Sequence, residues 1–337
     1  MEFNRKVIII AEAGVNHNGD YGMAVRMIHA AKAAGADYVK FQTAVPELVI
    51  AACAPKAEYQ KDTTGSAESQ LEMCKAIHLP LSDYARLKME CDAAGIGFVS
   101  TPFDLVSIDC LEPLGMDFWK IPSGEITNLP YLRKIGRMGQ KIVMSTGMSS
   151  LAEVETAVRI LEEAGTPRAN IALLHCTTQY PAPDASVNLR AMDALKELGC
   201  ASVGYSDHTV GITASLAAVA RGAMVVEKHF TLDRELPGPD HKASLEPNEL
   251  AELVGQVRRV EAMLGTGVKA VADAERGNIE VARKSIIAAR AIAEGEVFTE
   301  ENLTVKRPGG GVSPLLWDSV IGRKAIRAFE PDELIEI

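Results

Sequence analysis

Residues 7–12, VIIIAE, run apolar for the length of a short strand and end on a carboxylate, Glu12, and the same device recurs down the chain. YVKFQ (38–42) ends at Lys40 and Gln42, FVST (98–101) at Thr101, and WKIPSGE (119–125) at Lys120, Ser123 and Glu125. VMST (143–146) carries Ser145 and LLHC (173–176) carries His175. GYSDH (204–208) carries Ser206, Asp207 and His208, and VVEKHF (225–230) carries Lys228 and His229. Between these runs lie longer segments with apolar residues every three or four, such as MAVRMIHAAKAAG (23–35) and LAEVETAVRILEEAG (151–165). Strands alternating with amphipathic helices predict βα units and a parallel sheet. The strands are expected at 7–12, 38–43, 97–101, 118–122, 141–146, 171–176, 201–206 and 224–229. Gly35, Gly95 and Gly165 close the intervening helices as C-cap residues.

A doubly wound open sheet has the same alternation, but its ligand groups gather at one switch point. Here reactive side chains follow nearly every strand, and GVNHNGD stands after the first one in place of a dinucleotide-binding glycine fingerprint. A (β/α)8 barrel is therefore predicted, with its chemistry at the C-terminal strand ends. Two features interrupt the rhythm. Residues 44–80 read as a long loop over the active-site face. Residues 266–282 read as a linker between a barrel over 1–265 and a small β-rich domain over 283–337 with a Gly-rich turn at Gly309–Gly311.

The net charge of −10 and the lack of a basic run argue against nucleic-acid binding. No apolar stretch reaches membrane-spanning length and no signal peptide is recognisable, so a cytoplasmic protein is expected. Six cysteines without CxxC spacing read as reduced thiols, Cys176 standing out only because it ends a strand.

His208 and His229 end neighbouring strands, where they could share a divalent metal or be two unrelated histidines. Glu12 and Glu125 are candidates for proton transfer, or for pairing with a lysine. Lys40, Lys120, Thr101, Ser123, Ser145 and Ser206 together could hold a small phosphate or carboxylate. His17 shapes the first βα loop or touches substrate, His175 reads as a hydrogen-bonded strand residue, and Trp119 points outward to the helices. His29 and His78 read as surface or packing residues, and Asp240 and His241 lie in a loop that could recognise ligand.

The motifs AEAGVNHNGD, VKFQT, STPFD, KIPSGEITNLPYL, STGM, HCTTQYPAP, YSDHT, EKHFT, GPDHKAS, RKSI and KRPGGG follow one another over essentially the whole chain. In this order they resemble the sialic acid synthase family, whose members join phosphoenolpyruvate to an N-acylated amino sugar and water, releasing phosphate. The resemblance implies a TIM barrel followed by an antifreeze-like (SAF) domain that caps the partner's barrel in a domain-swapped homodimer. It implies that His208 and His229 hold Mn2+ or Mg2+, and that Lys40, Thr101, Lys120, Ser123, Ser145 and Ser206 bind phosphoenolpyruvate. Glu12, Gln42, Tyr180 and Asp240 would contact the open-chain sugar, Arg307 would reach it from the other protomer, and Glu125 would help activate water. The first acceptor implied is an N-acylated mannosamine, as in N-acetylneuraminate synthases. Thr178, where many of those enzymes have Asn, points instead to the legionaminic acid branch and a 2,4-diacetamido-2,4,6-trideoxymannose acceptor; 56–75 does not separate the two branches. A Schiff-base aldolase with Lys120 as nucleophile is a further enzymatic reading, and a non-catalytic glycan-binding protein lies furthest from the pattern.

Overall fold

All eight predicted strands form in a computed structural model of the protein, which describes residues 6–56 and 69–337. They are β1 (Ile8–Gly14), β2 (Tyr38–Thr43), β3 (Gly97–Pro102), β4 (Trp119–Ile121), β5 (Ile142–Ser145), β6 (Ile171–Cys176), β7 (Ser202–Asp207) and β8 (Val225–His229). Every ladder is parallel, and β1 pairs with both β2 and β8, so the sheet curls back on itself with the spatial order 3-2-1-8-7-6-5-4. β3 and β4 pack at the seam without a described ladder. There Met116 Sδ accepts a hydrogen bond from the Ser100 amide at 3.2 Å, where a neighbouring strand would otherwise supply a carbonyl.

The burial pattern follows from this closure. A strand in a barrel is covered by helices outside and by other strands' side chains inside, so continuous apolar runs such as IIIA are favoured over alternation. All seven residues of β1 are buried. The helices Tyr21–Ala34, Asp83–Ala94, Leu129–Gly136, Leu151–Ala164 and Pro247–Leu264 lie between or after strands and bury one stripe each. Gly35 and Gly95 end their helices in the left-handed region, at φ of 85° and 70°, where a side chain would be strained.

The chain divides into two compact units, Met1–Gly265 and Thr266–Ile337. The second contains the helix Arg276–Ala282 and an antiparallel pair, β9 (Ser285–Ala288) and β10 (Leu303–Lys306), in register Leu303↔Ala288. Its own small core includes Ile286, Ile292, Phe298, Val320 and Phe329.

The reading of 44–80 as one loop needs revision. Pro46–Val49 and Gln70–Ile77 are helical, the second started by a reciprocal cap between Ser69 and Glu72 that the pattern S-x-x-E announces. Residues 57–68, the middle of that segment, lie outside the described residues. Among the described residues no helix is long and apolar enough to cross a membrane, and all six cysteines are unpaired.

Candidate active site

At the C-terminal strand ends, parity decides which side chains face inward. On β2, residues 40 and 42 share a face; on β8, residues 227 and 229 do. The register sets Glu12 beside both Lys40 and His229, Gln42 beside Thr101, and Ser206 beside Glu227. One cavity of about 440 Å³ opens at this end. Glu12, Lys40, Gln42, Thr101, Lys120 and Ser123 line it, and so do Ser145, Tyr180, Ser206, His208, His229 and Asp240.

Its floor is a buried charge cluster. Lys40 Nζ is 2.9 Å from Glu12 Oε1 and donates to Thr101 Oγ1 at 3.1 Å. Lys120 Nζ donates to Ser145 Oγ at 2.7 Å. Glu227, which strand-end reading passed over, stands between the two ammonium groups, 3.7 Å from Lys40 and 3.6 Å from Lys120, and accepts from Ser206 Oγ at 3.1 Å. Its parity with His229 was the available signal. At these separations Glu227 acts on both ammonium groups chiefly through its charge.

Burial pushes the Glu12 carboxyl up to about 7 despite the pull of Lys40, with Glu227 adding to the rise. Burial would raise Glu227 too, but Lys120 and Lys40 outweigh it and hold that carboxyl below its ordinary value. For Lys40 the two carboxylates overcome desolvation, whereas burial prevails at Lys120 and lowers it. The cluster therefore keeps one firm anion, one carboxyl near neutrality and two cations of unequal strength.

Opposite stand the histidines. His208 Nδ1 lies 2.7 Å from the Thr177 carbonyl, to which it donates, leaving Nε2 as a lone-pair nitrogen 3.5 Å from Ser206 Oγ. Burial lowers His208 to about 4 and places His229 well below its usual value, so both rings are neutral near pH 7. Their centroids are 5.6 Å apart, and Tyr180 packs on His208 at 4.1 Å. Asp240 Oδ2 is 3.9 Å from His229 Nδ1, and burial raises this carboxyl to about 6. Glu12 Oε2, Glu227 Oε2, His229 Nδ1 and Thr178 Oγ1 are buried without a hydrogen-bond partner. Four such atoms on residues of one cavity mark groups held in readiness for a ligand.

Behind the wall, Lys228 and Asp207 form a fully buried pair at 3.2 Å, with Ser215 and Thr209 also bonded to Asp207. Asp207 immediately precedes His208 and Lys228 immediately precedes His229, so the pair pins both strand ends. Gly147 is needed for close packing, since a Cβ there would meet Thr178 Oγ1 at 2.2 Å and Ser123 Oγ at 2.9 Å. Gly147 N donates to that Ser123 hydroxyl.

Other expected residues fall elsewhere. Glu125 is outside the lining, its carboxylate accepting from Asn128 at 2.6 Å. Arg307 is exposed after β10 in the second unit. His17 is buried and accepts from the Gly19 amide, which shapes the first βα loop. His175 bonds the Val187 carbonyl, Trp119 is buried with its indole on Gln140, and His29 is exposed. His78 departs from the surface-or-packing reading: it lines the cavity with Gln70, Met73, Cys74 and Ile77, because the unforeseen helix Gln70–Ile77 carries this segment to the mouth. Cys176 also lines it, but burial raises its thiol and its nearest partner is Ser123 Oγ at 3.2 Å, not a base.

The NeuB family profile matches residues 27–269, and a SAF domain profile matches 283–336. The chain belongs to the NeuB family. It is 51% identical over 331 residues, 98% of this chain and 99% of the relative, to the N,N'-diacetyllegionaminic acid synthase of Campylobacter jejuni subsp. jejuni. A protein of the same name from Legionella pneumophila is 43% identical over 94% of this chain and 89% of its own length. The N-acetylneuraminate-9-phosphate synthase of Homo sapiens is 37% identical over 97% and 90%. Among solved structures, the N-acetylneuraminic acid synthetase of Leptospira borgpetersenii superposes with a TM-score of 0.71 at 36% identity, covering 82% of this chain and 91% of that one. The sequence thus encodes a NeuB-family sialic or legionaminic acid synthase with a barrel and a SAF domain. A 3-deoxy-D-arabino-heptulosonate 7-phosphate synthase from Thermotoga maritima, 17% identical with a TM-score of 0.58, shares the fold alone.

Proposed function

We propose that this NeuB-family enzyme condenses phosphoenolpyruvate with 2,4-diacetamido-2,4,6-trideoxymannose and water, giving N,N'-diacetyllegionaminic acid and phosphate. The observation that carries the reaction is a cavity with Lys40 and Lys120 among hydroxyls on one side and neutral His208 and His229 with Asp240 on the other. The acceptor rests on similarity: the relatives at 51% and 43% identity are both N,N'-diacetyllegionaminic acid synthases. They support the second acceptor the sequence offered over the N-acylmannosamine placed first.

Lys40, Lys120, Thr101, Ser123, Ser145 and Ser206 receive the carboxylate and phosphate of phosphoenolpyruvate, the ammonium groups as charges and the hydroxyls as aimed donors. Glu12, Gln42, Tyr180 and Asp240 orient the open-chain sugar so that its aldehyde carbon meets the phosphoenolpyruvate methylene carbon. A carbon–carbon bond forms there and the aldehyde oxygen gains a proton, for which Glu12, at about 7, is the matched donor. Water adds to the former enol carbon, and phosphate leaves by cleavage of the bond between that carbon and the bridging oxygen.

Two neutral buried imidazoles, one with an unpartnered Nδ1 and the other with a lone pair on Nε2 facing only the long contact to Ser206 Oγ, suit a divalent cation such as Mn2+ or Mg2+. Among the described residues no cluster of three or more His, Cys, Asp or Glu forms a full cage, so water and substrate oxygens would complete the coordination. The metal would polarise the aldehyde oxygen. Arg307 of the partner subunit would grip an N-acyl group in a swapped homodimer, and the free thiols fit the cytoplasm.

One assay decides the reading: phosphate release from phosphoenolpyruvate with manganese, offering each acceptor separately. Release should be at least about tenfold faster with the diacetamido sugar, as expected where a polar group must be matched. Equal rates refute the acceptor assignment, and no release with either refutes the synthase.

A further inference from the structure

A second cavity, about 590 Å³, lies beside the catalytic one. It opens between the N-terminal part of the helix Leu151–Ala164 and the segment 177–195, and Met148, Cys176 and Thr178 line both spaces. Its size is that of a small-molecule site. The lining is chemically distinct from the charged floor next door. Among the described residues, no Lys, Arg, Asp or Glu side chain borders it. Leu151, Val154 and Leu195 supply apolar surface, His175 an imidazole face, and Gln179 and Asn188 supply amides. Both amides are solvent-exposed at the rim. Thr178 adds a buried hydroxyl without a partner.

We propose that this second cavity is a binding site for an uncharged N-acyl sugar, separate from the catalytic cavity and coupled to His208 through the wall they share. Aliphatic patches take the C–H faces of a sugar ring, and amides and hydroxyls match its hydroxyl and acylamino groups. A phosphorylated sugar or a nonulosonic acid is disfavoured, because an anion needs a cationic partner that this lining lacks.

The coupling is geometric. The wall is the loop after β6. Its Thr177 carbonyl holds His208 Nδ1–H at 2.7 Å, while Thr177 Oγ1 donates to the Ser186 carbonyl at 3.0 Å on the side of the second cavity. Tyr180, at the other end of the loop, packs on the same histidine. A loop with open space on both faces is braced when either is filled, so a bound sugar steadies the carbonyl that orients His208.

Calorimetric titration of the full chain with N-acetylglucosamine and with N-acetylmannosamine tests the site without requiring turnover, so its outcome is independent of the proposed reaction. A class of site is expected in the wild type that is lost in Ala194→Trp, whose new ring fills the cavity from the surface of the helix Ala191–Lys196, whether or not the catalytic cavity also binds the sugar. Leu151→Trp fills it from the opposite wall. N-acetylneuraminate should not compete for this class. No binding of either sugar in the wild type, or binding unchanged in both variants, overturns the site. In steady-state assays N-acetylglucosamine should change the acceptor KM about fivefold, the factor one hydrogen bond is worth, and only in the wild type. An unchanged KM at saturating N-acetylglucosamine overturns the coupling to His208.

Discussion

Glu227→Gln keeps the size of the side chain and an acceptor for Ser206, but removes the charge 3.6 Å from Lys120 and 3.7 Å from Lys40. At an effective dielectric constant of about 20, each attraction at that separation is worth about 4–5 kcal/mol before desolvation is counted. Neutralising Glu227 also returns its own burial cost, so the net loss expected for breaking a buried pair is about 3–5 kcal/mol. The loss should depend on pH. Burial already lowers Lys120 against the pull of Glu227, and the variant loses that pull. A lysine whose folded pKa lies below its unfolded one makes stability rise with pH between the two values, because the unfolded chain binds more protons there. The variant's deficit should therefore shrink between about pH 7 and about pH 9. It should also shrink when inorganic phosphate replaces the missing counter-ion, by mass action on the folded state alone. Urea unfolding of both proteins at the two pH values, with and without phosphate, measures all three effects. Wild-type stability at the lower pH refutes the charge argument. So does a deficit of the same size in all four conditions.

Glu12→Gln should flatten the dependence of stability on pH. A carboxyl raised from 4.5 to about 7 contributes about 3 kcal/mol that is present below the unfolded value and lost as pH rises through about 7; the variant's unfolding midpoint should vary less with pH across this range than the wild type's, and an unchanged slope would assign the dependence elsewhere. His208→Ala and His229→Ala should each weaken manganese binding by at least about tenfold, the lower bound for loss of a ligand-orienting group, read from the electron paramagnetic resonance of free Mn2+. Undiminished binding in either variant removes that histidine from the metal site. Deleting 283–337 should abolish product formation while circular dichroism still reports a folded barrel, and an active truncated chain would withdraw the role given to Arg307.

Much of this protein was legible along the chain because the signals are local. Strand-length apolar runs, helical periodicity and C-cap glycines such as Gly35 each involve a few neighbouring residues, and they located all eight barrel strands to within a few positions. The polar residues at strand ends followed from the same periodicity, while Tyr180, Asp240 and Arg307 were implied by the family resemblance; twelve of the fourteen residues so named line one cavity. The helix Gln70–Ile77 was missed, although its Ser69–Glu72 cap was written in the sequence. It stood inside a stretch whose length suggested a loop.

What the sequence alone determined is the order of elements and which chemical groups arrive at one end of the barrel. Closure of the sheet decided the rest, because it brings residues far apart in the chain to ionic distance and takes them out of water. Glu227 is 187 residues from Lys40 in the chain (227 − 40) yet 3.7 Å from its ammonium nitrogen. Glu12 lies nearer Lys40, at 2.9 Å, but Glu227 also has Lys120 at 3.6 Å, and that second cation, under nearly complete burial, separates Glu12 raised to about 7 from Glu227 held as an anion. The same carboxyl group in two places does two things, since its pKa belongs to the surrounding dielectric and charges and not to the residue type.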